Sequence, residues 1–279
     1  MKQAKGLYKI SRPLSTLSGA LSVVLGGYVA GTGGWGKILL AAFVTILSSS
    51  SANAWNDYLD IEIDKINQPK RPLPSGMVTP KVVVIFAVVM ALLSVVLAAF
   101  ISLPAFIIVV ASNVILFLYS WKLKSTVLLG NLTVALISAI SVMYGGVAAG
   151  YVQPTMWLAV IIFVAILGRE ILKTMADYEG DLRQKCHTIS TVWGRRPARI
   201  LFYVLALSTI GLMLLPYLFN VYAPIYAYVV ILGVYPVILY ILVKVSRERT
   251  GPQLERLSQI MKYDFIVWFL AVVLGTQFL

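Results

Sequence analysis

Apolar runs of roughly 17 to 22 residues recur from one end of the chain to the other, each about the length an α-helix needs to cross the hydrocarbon core of a bilayer. Nine are read, near 14–30, 38–55, 82–102, 105–120, 127–149, 156–174, 199–216, 222–243 and 263–279. The breaks carry turn residues: the glycine-rich stretch 31–36, Pro104, Gln153 with Pro154, and Pro216 with Asn220. Lipid cannot satisfy exposed backbone N–H and C=O groups, so spans of this kind are expected to be helices. Only 12% of the 279 residues are charged and 59% are hydrophobic. A soluble domain carries about a quarter charged residues, so a soluble enzyme and a disordered chain are both excluded. A disulfide scaffold is excluded too, because Cys186 stands alone. The basic N-terminus runs into an apolar stretch with no small-residue cleavage site, so no removable signal peptide is expected.

Nine spans place alternate loops on opposite sides, and the charges test that division. Of the 23 basic residues, all but Lys37 fall on one side, together with all eleven acidic ones. The positive-inside rule puts that side in the cytoplasm, giving a multi-pass cell-membrane protein with a cytoplasmic N-terminus and an external C-terminus. The net charge of +12 is then a polarised face suited to anionic head groups or an anionic substrate. The basic residues are dispersed among spans, and nothing resembles a nucleic-acid recognition module, so no nucleic-acid partner is expected.

The few acids gather in two places. The first is the stretch 53–64, at the end of the second span. At 100° per residue, Asn53, Asn56, Asp57, Asp60 and Asp64 fall within about a 100° arc if the helix continues, while Glu62 points elsewhere. The second is 169–181, ending the sixth span, where Glu170, Lys173, Asp177 and Asp181 share a face within about 80°. Like charges stacked on one face destabilise a helix unless a cation lies between them. Hard oxygen donors of this kind suit Mg²⁺, which takes one or two carboxylates together with substrate phosphates and water. Nearby Arg and Lys would hold the remaining phosphate oxygens. Two other readings stay open: solvated juxtamembrane charge, and an ion-coupled transporter. The transporter would hold its carboxylates near mid-membrane on broken helices, whereas these lie at helix ends.

The stretch Asn56-Asp-Tyr-Leu-Asp-Ile-Glu-Ile-Asp-Lys-Ile-Asn-Gln-Pro-Lys-Arg-Pro-Leu-Pro-Ser-Gly76 resembles the first signature of UbiA-type intramembrane prenyltransferases. Asp177-Tyr-Glu-Gly-Asp181 resembles their second aspartate motif. The likeness extends to Arg12-Pro13, to the loop Tyr119-Ser-Trp-Lys-Leu-Lys124 with Gly130-Asn131 after it, and to the nine-span layout. It implies a single intramembrane domain over 1–279, all-α, with nine transmembrane helices around a central cavity facing the cytoplasm. It also implies transfer of a prenyl group from an isoprenyl diphosphate to a lipid-like acceptor, dependent on two Mg²⁺ ions. By position, Asn56, Asp57, Asp60 and Asp64 would bind one ion and Asp177 and Asp181 the other. Arg12, Asn56, Arg71, Lys122, Lys124 and Lys173 would contact substrate, chiefly its diphosphate, and Tyr119 would face the reacting carbon. No obligate protein partner is implied beyond the two substrates and membrane lipid.

The spacing from Asp64 through Ile66-Asn67 to Arg71-Pro72 looks like the branch that makes archaeal ether lipids and chlorophyll, as does Arg169-Glu170 with Lys173. The first of these activities joins geranylgeranyl diphosphate to the hydroxyl of geranylgeranylglyceryl phosphate; an aromatic or tetrapyrrole acceptor is the alternative. Among other residues, His187 and Cys186 are read as loop filling. The run Ser48 to Ser51, with Gly26-Gly27 and Gly145-Gly146, is read as allowing close helix packing. Trp35, Trp55, Trp121 and Trp157 are read as interfacial, with Trp55 and Tyr58 also placed to border the first acid group.

Overall fold

Each membrane span expected from the sequence coincides in the main with a membrane-length helix in the computed structural model, which describes residues 2–31, 34–183, 186–246 and 250–276. Among these residues there is no strand, and nine helices are long and apolar enough to cross a membrane. The chain is all-α and multi-pass. Contacts divide it into two compact units.

The first unit holds residues 1–124 and 140–155. It contains α1 (Lys2–Ile10), α2 (Pro13–Ala30), α3 (Trp35–Leu59), α4 (Ile61–Asn67), α5 (Pro80–Ala99), α6 (Leu103–Trp121) and the second half of α7 (Leu129–Ala149). Its core is built from small residues at the helix crossings, among them Ala20, Ala41, Ala98 and Ala105, with Val23, Val44 and Tyr144 between them. A Cβ on Gly26 would collide with the Val142 carbonyl, and one on Gly145 with the Val23 carbonyl, so α2 and α7 touch backbone to backbone. That confirms the packing role read for both glycines. The serine run does more than pack. Ser48 Oγ donates to Asn113 Oδ1 at 2.6 Å, Asn113 Nδ2 donates to Ser94 Oγ at 3.0 Å, and Ser51 Oγ donates to the Ala87 carbonyl at 2.7 Å. These bonds join α3, α5 and α6 through the buried side chains of Ser48, Ser51 and Ser94.

The second unit holds 125–139 and 156–279. It contains the first half of α7, α8 (Met156–Ala176), α9 (Tyr178–Arg183), α10 (Ile189–Val192), α11 (Arg195–Leu218), α12 (Pro224–Val229), α13 (Tyr235–Ser246) and α14 (Gly251–Thr276). A π-helical turn, Val230–Val234, joins α12 to α13 within one span. α8 and α14 run antiparallel at close range. A Cβ on Gly251 would strike the Ala176 carbonyl, and Arg169 Nε donates to the Ser258 carbonyl at 3.2 Å.

Two elements differ from the sequence reading. α14 begins at Gly251, well before the expected 263, because 251–262 is amphipathic: Leu254 and Leu257 are buried while Gln253 and Lys262 stay outside. A search for continuous apolar runs passes over such a segment. The last expected positions of that span, 277–279, lie outside the described residues. α1 was not expected at all, although Gly6 and Ile10 are buried and its lysines are exposed.

Candidate active site

The first acid group sits where α3 gives way to α4. Asp60 interrupts the helix (φ −92°, ψ 6°), yet its N–H still donates to the Asn56 carbonyl at 3.0 Å. The Asp64 N–H donates to the Asp60 carbonyl at 2.8 Å. The acids therefore keep their one-turn spacing through the break. Asn53 leaves the group: its side-chain amide donates to the Ser11 carbonyl at 3.1 Å and ties down the corner between α1 and α2. At that corner Arg12 adopts a left-handed backbone (φ 50°), which a non-glycine residue adopts at a cost of about 1–2 kcal/mol. Its guanidinium pairs with Asp57.

The remaining pairs complete a lattice of acids and cations. Arg71 Nη1 lies 2.6 Å from Asp64 Oδ2 and 3.8 Å from Asp57 Oδ1. Lys124 Nζ pairs with Asp60 Oδ1 and stands 3.3 Å from Asn56 Oδ1. Asn56 Nδ2 donates to Asp60 Oδ2 at 2.9 Å. The side chains of Asp57 and Asp64 are only 5% and 7% exposed, and buried carboxylates of this kind persist only when paired and hydrogen-bonded. Arg12, Asn56, Asp57, Asp60, Asp64, Arg71 and Lys124 are thus brought into one cluster. Lys122 is exposed, its ammonium 5.9 Å from the centre of the Trp121 ring, and Tyr119 is half-buried near the end of α6. Trp55 stacks on Phe117 at 5.0 Å and lies 5.5 Å from Tyr58. Both α3 aromatics pack on the apolar cluster of Ile10, Leu73, Val78, Val83 and Ala87, on the side of α3 away from Asp57, Asp60 and Asp64, so the bordering role read for them is not seen.

The second group, in the other unit, is arranged differently. Glu170 is buried on α8 between Arg169 Nη1 at 3.2 Å and Lys173 Nζ at 3.3 Å. Lys173 is therefore engaged by Glu170. Asp177 falls at the bend after α8, and the Asp181 N–H donates to its carbonyl at 2.9 Å. Neither acid has an ion pair among the described residues. Burial pushes Asp177 above the ordinary carboxylate range, with Lys173 opposing and Glu255 and Glu170 adding to the rise. Burial also pushes Asp181 up to about 6, reinforced by the Asp177 charge and opposed by a hydrogen bond from Thr188. Glu255, on α14, is a neighbour that spacing along one helix could not reveal. His187 is exposed and Cys186 half-buried.

Both groups fit Mg²⁺ by donor chemistry. Among the described residues no three acids or imidazoles converge on a point. A full protein cage is not what this ion takes, since it keeps waters and recruits phosphate oxygens. In the first group a cation, the Lys124 ammonium, already lies between two hard oxygens, Asn56 Oδ1 and Asp60 Oδ1. In the second, the Asp177 charge adds to the rise at Asp181, neither acid has an ion pair among the described residues, and a divalent ion would relieve that repulsion.

Nine membrane-length helices and an acid-rich, cation-laced helix end define an intramembrane prenyltransferase. The chain belongs to the UbiA prenyltransferase family, whose description matches residues 20–270. It is 31% identical over 274 residues to the digeranylgeranylglyceryl phosphate synthase of Thermococcus gammatolerans, covering 98% of this chain and 99% of that one. It is 28% identical to the same enzyme of Methanosphaera stadtmanae, covering 96% and 97%. A solved structure of a digeranylgeranylglyceryl phosphate synthase superposes over the full length of both chains with a TM-score of 0.86 at 26% identity. The fold is shared with a UbiA homologue from Archaeoglobus fulgidus bound to GPP and Mg²⁺, at a TM-score of 0.73 and 18% identity, covering 94% and 99%.

Proposed function

We propose that this prenyltransferase moves a geranylgeranyl group from its diphosphate to the free hydroxyl of geranylgeranylglyceryl phosphate, with two Mg²⁺ ions and with its N-terminus in the cytoplasm. The observation that carries the reading is the first acid lattice, where Asn56, Asp57, Asp60 and Asp64 offer hard oxygens and Arg12, Arg71 and Lys124 offer cations on the same helix ends. The names of the full-length relatives support the acceptor. The basic face also accommodates the acceptor's phosphate.

Asn56, Asp60 and Asp64 would hold one ion, with Asp57 alongside, and Asp177 and Asp181 the other. When bound, Mg²⁺ supplies charge neutralisation of the leaving diphosphate. Arg12, Arg71 and Lys124 bind its remaining oxygens and stabilise the charge that grows as the allylic C–O bond breaks. The electron pair leaves with the diphosphate, the acceptor oxygen forms the new bond to C1, and the hydroxyl proton is lost. The apolar helix bundle around the site keeps water from the electron-poor carbon.

Incubating the purified protein with labelled geranylgeranyl diphosphate, Mg²⁺ and a panel of prenyl acceptors tests the proposal. A labelled diether phosphate that EDTA abolishes is the expected product; prenylation of an aromatic or tetrapyrrole acceptor alone would move the assignment within the family. Asp60→Ala and Asp181→Ala are each expected to lower turnover by about 10²–10³, the usual loss when one electrostatic stabiliser is removed. Retained activity in either variant counts against that acid as a metal ligand.

A further inference from the structure

The second unit holds one acid that the site above does not use. Asp264 lies about 20 Å along α14 from its first residue, at 1.5 Å per residue, and so close to the middle of the helix. The antiparallel register of α14 with α8, fixed by Gly251 against Ala176 and Arg169 against Ser258, continues to a cavity lined by both helices. Asp264 is therefore level with the middle of the 153–176 span. An ionisable side chain at that depth is rare and marks a functional site by default.

The cavity has a volume of about 30 Å³ and lies between α8, α11, α13 and α14. Its lining is apolar apart from two side chains, Asp264 and Thr209; Phe202, Met213, Met261 and Trp268 form much of the rest. Asp264 is 7% exposed, and its Oδ1 is fully buried with no hydrogen-bond partner. The Thr209 hydroxyl donates to the Leu205 carbonyl at 2.8 Å, which leaves its oxygen free to accept. Trp268 Nε1 is committed to the Tyr226 hydroxyl at 3.2 Å, so it does not serve Asp264. The π-helical turn ends at Val234 on the cavity wall, and such turns recur at functional positions.

A single water needs about 10–15 Å³ and at least two polar partners. The cavity provides both. A monovalent metal ion would find oxygens on only two side chains there and would otherwise face carbon. We propose that Asp264 and Thr209 hold a water molecule in the core of the second unit, donating one hydrogen to Asp264 Oδ1 and the other to Thr209 Oγ1. The site is independent of the acid groups that serve the prenyl diphosphate.

Radiolytic hydroxyl labelling of the full-length protein in lipid nanodiscs, read by mass spectrometry, tests this, because radicals born from a held water oxidise the side chains around it. Met213 is 3% exposed, as is Met175, which does not line the cavity. The expectation is oxidation of Met213 at least fivefold above that of Met175, falling to the Met175 level in Asp264→Leu and in Thr209→Val. Should Asp264→Leu fail to fold, the near-isosteric Thr209→Val carries the comparison. Equal labelling of the two methionines in the wild type overturns the proposal, and so does Met213 labelling that survives both substitutions. Unfolding temperatures in lithium, sodium, potassium and choline chlorides are expected to coincide; stabilisation by one cation alone would make the occupant an ion and refute the water.

Discussion

Lys124 Nζ lies between Asn56 Oδ1 and Asp60 Oδ1, so a divalent cation added without an anion meets an ammonium where its ligands are. A +2 ion against a +1 ion at about 4 Å, with an effective dielectric near 20, is opposed by roughly 8 kcal/mol. The Lys124 side chain is 27% exposed and can swing toward water, which removes most of that. A residual coupling of about 1–3 kcal/mol, or 5- to 150-fold, is the expected scale for two sites linked in this way. Diphosphate reverses the sign, since it gives the ammonium somewhere better to go. Inorganic pyrophosphate is therefore expected to raise Mg²⁺ affinity by that factor, and by reciprocity Mg²⁺ raises pyrophosphate affinity equally. In Lys124→Gln, Mg²⁺ alone is expected to bind about fivefold or more tighter, while pyrophosphate helps it less. Isothermal titration of each ligand alone and then both, with their association in solution subtracted, measures all four affinities. Wild-type Mg²⁺ affinity that ignores pyrophosphate would refute the reasoning, as would weaker Mg²⁺ binding in Lys124→Gln.

Other expectations follow from single contacts. Asp181 titrates near 6, above the ordinary range, so the folded protein binds a proton there that the unfolded chain has already lost; stability should fall as pH rises from about 4 to 6 and stay level above. Thermal unfolding across that range checks this, and Asp181→Asn should flatten the slope. Gly145→Ala forces a Cβ into the Val23 carbonyl and is expected to destabilise by about 1–3 kcal/mol, seen as a lower unfolding temperature in detergent. Asn113→Leu breaks the bonds to Ser48 and Ser94 and is expected to cost about 1 kcal/mol, with prenyl transfer retained at lower temperature.

Much of this molecule is legible in one dimension because bilayer thickness and helical period are both read along a single segment. Span length set the number of helices, and the period of 3.6 put Asn56, Asp60 and Asp64 a turn apart, a spacing that survives the break at Asp60. Gly26 and Gly145 could be read as packing positions, though not which carbonyl each one meets. Amphipathic segments such as α1 and the first half of α14 escaped a search for apolar runs, although their periodicity was there to be read.

Partnership is another matter, since it depends on which helices meet. That Asp57 takes Arg12, 45 residues away, and Asp60 takes Lys124, 64 residues away, follows from α3 packing beside the start of α2 and the end of α6. The same holds for Asn53, which shares the angular arc of the acids yet bonds to Ser11 because the corner between α1 and α2 comes to it. In the sequence Asp264 counts only as one of the eleven acids assigned to the cytoplasmic side. Only the docking of α14 along α8 buries it beside the middle of that helix, with one carboxyl oxygen left without a partner.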